Sequence, residues 1–158
     1  MMITKQFKTS GVRGFTLLEV LISVVILGIG VIGIASLQIT SSVYNESSLH
    51  RSHSSALARE LLERMRANKD NATTGAYDIT TLPTLTQNCE GASANCTSTE
   101  LIQHDLRIWS ARVSALLPGG TASVLTDTTV VPAQITITLQ WTDRSPQGLV
   151  SQSFIFAL

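Results

Sequence analysis

Arg13-Gly14-Phe15-Thr16-Leu17-Leu18-Glu19 decides how this chain is organised, because the residues that follow, Val20 to Leu37, are apolar or small and carry no charge. As a helix, Phe15 to Leu37 extends about 34 Å, enough to cross the hydrocarbon layer of a bilayer. One carboxylate, Glu19, sits near the start of that run. An acid inside a membrane span is costly and is a functional candidate by default, with its partner to be sought nearby. A cut between Gly14 and Phe15 would leave Glu19 about one helical turn from a new, positively charged amine.

Lys5, Lys8 and Arg13 precede the apolar run, and no acid does. Basic flanks stay cytoplasmic, so the remainder of the chain is expected on the periplasmic side of an inner membrane. A conventional secretory signal is cut after its apolar region, at small residues. Ala35 and Ser36 offer such a place, but that reading leaves Glu19 without a role.

These residues resemble the class III signal of type IV pilins and type II secretion pseudopilins. That pattern is a basic leader ending in glycine, phenylalanine as the first mature residue, glutamate as the fifth, then an apolar helix. Lys5, Lys8, Arg13, Gly14, Phe15 and Glu19 meet every term. The resemblance implies cleavage between Gly14 and Phe15, and N-methylation of Phe15, by a prepilin peptidase. It implies single-pass insertion in the inner membrane and then assembly into a helical fibre, with Glu19 meeting a neighbouring N-terminal amine. In the family, glycine or proline further along this helix lets part of it melt in the fibre. Gly28, Gly30 and Gly33 stand there without a proline; their plainer reading is close packing of helices in the membrane.

Of 158 residues, about 100 follow the leader and membrane segment, enough for one small domain. Formal charge is +0 overall. With three of the 11 basic residues in the leader, eight remain against 11 acids, which argues against general nucleic-acid binding. Cys89 and Cys96 enclose a short loop containing Gly91. They are expected to form a disulfide in an oxidising compartment, since two thiols alone underfill a tetrahedral metal site.

From Ser36 to Asn68 no proline or glycine interrupts the chain, so one long helix from Phe15 to about Asn68 is predicted. Leu57, Leu61, Leu62 and Met65 give its second half an apolar stripe. Arg59–Glu63 and Glu60–Arg64 are i,i+4 pairs expected on the opposite face. Lys69 to Thr97 reads as a long loop. Thr97 to Leu117 reads as a second helix, capped by Thr97 or Ser98 and stopped at Pro118-Gly119-Gly120. Its buried face would be Ile102, Leu106, Trp109, Val113 and Leu116. Then the period becomes two. Ser123 to Val131 is a candidate strand, Ile135 to Trp141 a half-buried strand, and Phe154 to Leu158 the return strand of a hairpin with its turn at Asp143 to Gly148.

The fold class expected is therefore α+β, the type IV pilin fold. A long N-terminal helix, half membrane and half amphipathic, packs on a small antiparallel sheet with a second short helix. The divisions are 1–14 leader, 15–37 membrane or fibre-core helix, 38–68 amphipathic half, and 69–158 periplasmic domain.

Other constellations are weaker. Glu46, His50 and His53 share a helical face at a spacing that suits zinc, but no fourth ligand accompanies them, and a solvated polar face is the plainer reading. His104 beside Asp105 suggests acid–base work, against a simple surface pair. Trp109 and Trp141 read as core. Catalytic residues, metal ligands and cofactors are expected to be none. Leu61-Leu62-Glu63-Arg64-Met65-Arg66-Ala67-Asn68, Asp105-Leu106 with Trp109, and Leu117-Pro118-Gly119-Gly120 resemble the PilV family of minor pilins. That resemblance implies a non-enzymatic subunit for pilus initiation, assembly or modification. Its partners would be other minor and major pilins, the prepilin peptidase, the inner-membrane assembly machinery and membrane lipid. The alternatives are a minor pseudopilin of a type II secretion system and a pilin-like receptor for DNA uptake or adhesion.

Overall fold

The computed structural model describes residues 14–91, 95–144 and 148–158. The leader residues Lys5, Lys8 and Arg13 lie outside them. The chain divides into two compact units, Met1–Ser41 and Ser42–Leu158.

In the first unit the described chain is the beginning of helix α1, Leu17–Ala67. The helix starts two residues later than Phe15, and the reason is local. Thr16 stands just ahead of it, and its Oγ1 accepts the Glu19 backbone N–H at 3.3 Å. This is an N-cap hydroxyl satisfying a first-turn donor. Glu19 is then a first-turn acid, where the positive end of the helix dipole favours it. Every described residue up to Ser42 is exposed, and the most apolar stretch of α1 has a mean hydropathy of 2.8 over 18 residues. Such a surface is stable only in lipid or against other apolar helices.

The second unit contains the rest of α1, a four-residue helix α2 (Lys69–Ala72), α3 (Ser98–Leu116) and strands β1 (Thr121–Asp127), β2 (Gln134–Thr142) and β3 (Leu149–Ala157). The strands form one antiparallel sheet in the order β1-β2-β3. Register rows run Val124–Ile137–Phe154 and Ser123–Thr138–Ser153. Because side chains alternate across a strand, the first row faces the helices and the second faces away.

The core lies between the helices and the inner face of the sheet. Leu57, Leu61 and Met65 of α1, Ile102, Leu106, Trp109 and Val113 of α3, and Val124, Ile135, Ile137, Leu139 and Trp141 of the sheet are buried together. Trp109 also fixes the helices to one another, its indole Nε1–H donating to the Leu57 carbonyl at 2.9 Å. Truncating such a buried tryptophan to alanine typically costs about 3–5 kcal/mol. Leu116, expected in the core, is half-buried, and Leu117 just past the helix is fully buried instead.

The stop after α3 is steric as well as conformational. Gly119 has φ +61, the left-handed region that glycine enters freely. A Cβ on Gly120 would sit 2.9 Å from the Leu117 carbonyl oxygen. The Thr142 N–H then donates to the Pro118 carbonyl at 2.8 Å, tying the helix end to the end of β2.

Two expectations are corrected here. The first strand covers Thr121–Asp127, not Ser123 to Val131. Asp127 ends it, because its Oδ1 accepts both the backbone N–H and the hydroxyl of Thr129 in a local turn that replaces the ladder. Residues 69–97 are also not loop alone: they include α2, and Ile79 bridges to Val124 on the outer edge of β1.

Candidate functional site

The N-terminal segment places Gly14, Phe15, Thr16 and Glu19 together at the start of α1, all exposed. Phe15 is 83% exposed and stands outside the helix. Among the described residues the Glu19 carboxylate meets no cation, so its negative charge is available to a group from elsewhere. Ser23 Oγ donates to the Glu19 carbonyl at 2.7 Å, a backbone contact that leaves the carboxylate untouched. Gly28, Gly30 and Gly33 are open, since a Cβ added at any of them would meet nothing within 4 Å. This arrangement offers an acid, an apolar helix and small-residue gaps to another helix.

The second unit holds a polar network that the sequence did not disclose. Arg64 Nη1 lies 2.9 Å from Asp105 Oδ1, and Arg64 Nη2 lies 3.2 Å from Glu60 Oε1. Arg112 closes on Glu60 at 2.9 Å. On the far side the Tyr77 hydroxyl donates to Asp105 Oδ2 at 3.0 Å and accepts from Asn68 Nδ2 at 3.4 Å. Burial is the main force pushing the Tyr77 phenol up to about 12, with Asn68 opposing and the Asp105 charge adding to it. Burial opposes the charge on Arg64, yet the Asp105 and Glu60 carboxylates hold its pKa above the usual value. Two cations and two anions balance, which is how charges are tolerated where α1, α3 and the 68–77 segment meet.

Glu60–Arg64 therefore forms as expected but faces α3 rather than solvent. Arg59–Glu63 is replaced by Glu63–Arg66 at 2.6 Å. Asp105 and His104 are not a surface pair: they are 6% and 7% exposed. Asp105 serves the network, and His104 Nδ1 accepts the Cys89 N–H at 3.0 Å. The advance signals for the network were the Glu60–Arg64 spacing and the His104–Asp105 neighbours; nothing local linked them to each other or to Tyr77.

Cys89 and Cys96 are joined, with a Cα–Cα distance of 6.0 Å. The chain entering the loop they close is held to α3 by the contact of Cys89 with His104 and by Arg107 Nε, which donates to the Gln87 carbonyl at 2.7 Å. Thr97 and Glu100 form a reciprocal capping box at the start of α3. The Thr97 backbone N–H, then its hydroxyl, holds the Glu100 carboxyl below its ordinary range.

His50 and His53 do not lie on a solvated face. His50 is buried and His53 half-buried, and one turn on, Ser54 Oγ donates to Gln152 Oε1 of β3 at 2.6 Å. Glu46 faces Arg144 at 3.6 Å. Among the described residues no three metal-binding side chains converge.

Two family models match this chain. The prokaryotic N-terminal methylation motif covers residues 9–35, and type IV pilin Tt1218 covers residues 36–107. No curated protein and no solved structure matches it. The second match contains the α1 stripe, both cysteines and every member of the network but Arg112. The α+β architecture of long helix, second helix and three-stranded antiparallel sheet is that of the pilin fold. Residues 36–107 are thus similar to a type IV pilin, directly behind a stretch, 9–35, that matches the prepilin N-terminal methylation motif.

Proposed function

We propose that this chain is a minor type IV pilin of the PilV kind, a subunit that helps start, assemble or modify the fibre. The observation that carries the reading is the abutment of the two matched regions, 9–35 and 36–107, inside one helix, Leu17–Ala67. A helix that begins as an exposed apolar rod and continues as the spine of a packed domain suits a subunit that leaves the membrane for a fibre. Cleavage falls between Gly14 and Phe15, and Phe15 is then methylated at its new amine. Residues 15–37 form the membrane and fibre-core part, and residues from 69 on lie in the periplasm before assembly. Other pilins, the prepilin peptidase and the inner-membrane assembly machinery are the partners.

Two measurements test this. Intact mass of the membrane-extracted chain is expected to give Phe15 as the first residue with one added methyl group, and a start after Ala35 or Ser36 would sink the reading. Deleting the gene is expected to reduce surface pili and leave secreted-enzyme levels unchanged. Normal piliation with lost secretion would assign the chain to a secretion pseudopilus. Normal piliation with loss of DNA uptake or adhesion alone would assign a receptor role.

A further inference from the structure

The two edges of the sheet are treated differently. On the β1 side the Ile79 N–H donates to the Val124 carbonyl at 3.0 Å, and the Val124 N–H donates back to Ile79 at 2.8 Å. Thr126 Oγ1 adds a bond to Asp78 Oδ1 at 2.7 Å. The chain itself bridges that edge at its middle. Among the described residues, nothing pairs with the outer side of β3.

The direction of the β3 backbone groups follows from the two ends of the strand. The Asp143 N–H donates to the Gly148 carbonyl at 2.6 Å, and the Leu158 N–H donates to the Ala133 carbonyl at 3.1 Å. Both continue the β2–β3 register. Bonded pairs alternate along an antiparallel ladder. The even-numbered residues of β3 therefore bond to β2, and Leu149, Ser151, Ser153, Ile155 and Ala157 turn their N–H and C=O groups outward.

Natural sheets guard such edges with charge, proline, bulges or a covering element. Leu149 to Leu158 contains no charged residue, proline or glycine. The core beneath it is also incompletely covered. Ile135, Ile137, Leu139 and Trp141 of β2 are fully buried, whereas Phe154 and Phe156 of β3 are only partly so. Their rings stack with centroids 6.4 Å apart, facing inward under the open edge.

We propose that the outer edge of β3 accepts an extended, uncharged strand from a second protein, with apolar residues at alternate positions that cover Phe154 and Phe156. The backbone groups of the odd-numbered residues supply the ladder, and the uncharged edge selects an equally uncharged strand, since a charge there would be desolvated without a partner.

The test uses the full-length chain in the membranes of its own cells. A benzophenone amino acid replaces Ile155, which is 66% exposed beside the edge. Irradiation is expected to give an adduct that mass spectrometry maps to an extended, alternating apolar segment of another protein. Ser153→Pro removes an outward N–H while sparing the bonds to β2, a place where an edge strand accepts proline. It is expected to lower adduct yield about tenfold, and Ser153→Ala is expected to leave the yield unchanged. Should Ser153→Pro lower the thermal midpoint, Ser153→Lys, which charges the edge without altering the backbone, is expected to give the same loss. No adduct, an adduct to a helical segment, to lipid or to a second copy, or a yield indifferent to both Ser153→Pro and Ser153→Lys would each overturn the proposal. The N-terminal mass is measured on the same sample, so failure of the pilin reading is seen separately.

Discussion

Arg64 of α1 and Asp105 of α3 form an ion pair, Nη1 to Oδ1 at 2.9 Å, with the Asp105 side chain only 9% exposed. The pair joins two helices whose contacting residues are 41 positions apart in the chain. It does so beside a hydrophobic core, with Tyr77 completing the carboxylate's coordination. Its worth lies in what breaking it would leave behind: a phenol and one arm of a guanidinium that have lost their acceptor.

Asp105→Ala is expected to destabilise the second unit by about 2–4 kcal/mol, since removing one partner strands the other in a partly dry site. Asp105→Asn keeps the shape and one acceptor oxygen, so it is expected to cost less. Thermal unfolding in detergent, followed by tryptophan fluorescence, measures both. Equal midpoints for Asp105→Ala and wild type would remove this account of the pair.

Alkaline pH is expected to act through Tyr77. Its pKa in the folded chain is about 12 against an ordinary value of 10.0. Between those values the unfolded chain has lost a proton that the folded chain keeps. The contribution is therefore complete below pH 10 and is lost as pH rises toward 12, with a size on the order of 2 kcal/mol. Denaturant unfolding across that window should show wild type losing stability faster than Tyr77→Phe. Parallel curves would refute the assignment.

Glu19→Val is expected to leave processing at Gly14 and Phe15 intact while lowering incorporation into sheared fibres about tenfold or more. The cause is the exposed first-turn carboxylate, which meets no cation among the described residues and would pair with the N-terminal amine of a neighbouring subunit. Immunoblots of sheared pili against whole cells read the ratio. Wild-type incorporation would leave Glu19 without this role.

Thiol labelling of protein isolated without reductant is expected to find neither Cys89 nor Cys96, and reduction is expected to release both. Replacing both by serine should cost roughly 2–3 kcal/mol from loop closure. The Cys89 N–H bond to His104 persists in the reduced chain only if the loop stays docked on α3. Amide hydrogen exchange at Cys89 tells whether the disulfide or the dock holds the loop. Unchanged protection after reduction would assign it to the dock.

What the sequence by itself determined is local and periodic. Val20 to Leu37 announces an apolar rod because it contains no charge. Thr97, Glu100 and Pro118-Gly119-Gly120 bound α3 because capping and helix arrest are chemistry within a few residues. Ile135, Ile137, Leu139 and Trp141 fall on one face because a strand alternates sides. Only the tertiary structure decided where polar groups went. Glu60 and Arg64 read as a solvated pair until α3 brings Asp105 and Arg112 against them, and His104 reads as exposed until Cys89 is brought onto its ring. Ile79 bridges the β1 edge at Val124 from a distant stretch whose own pattern is that of a loop. Periodicity reports which side of an element is apolar; it carries no information on which distant chain satisfies a buried charge or an edge backbone group, because that depends on how the elements meet.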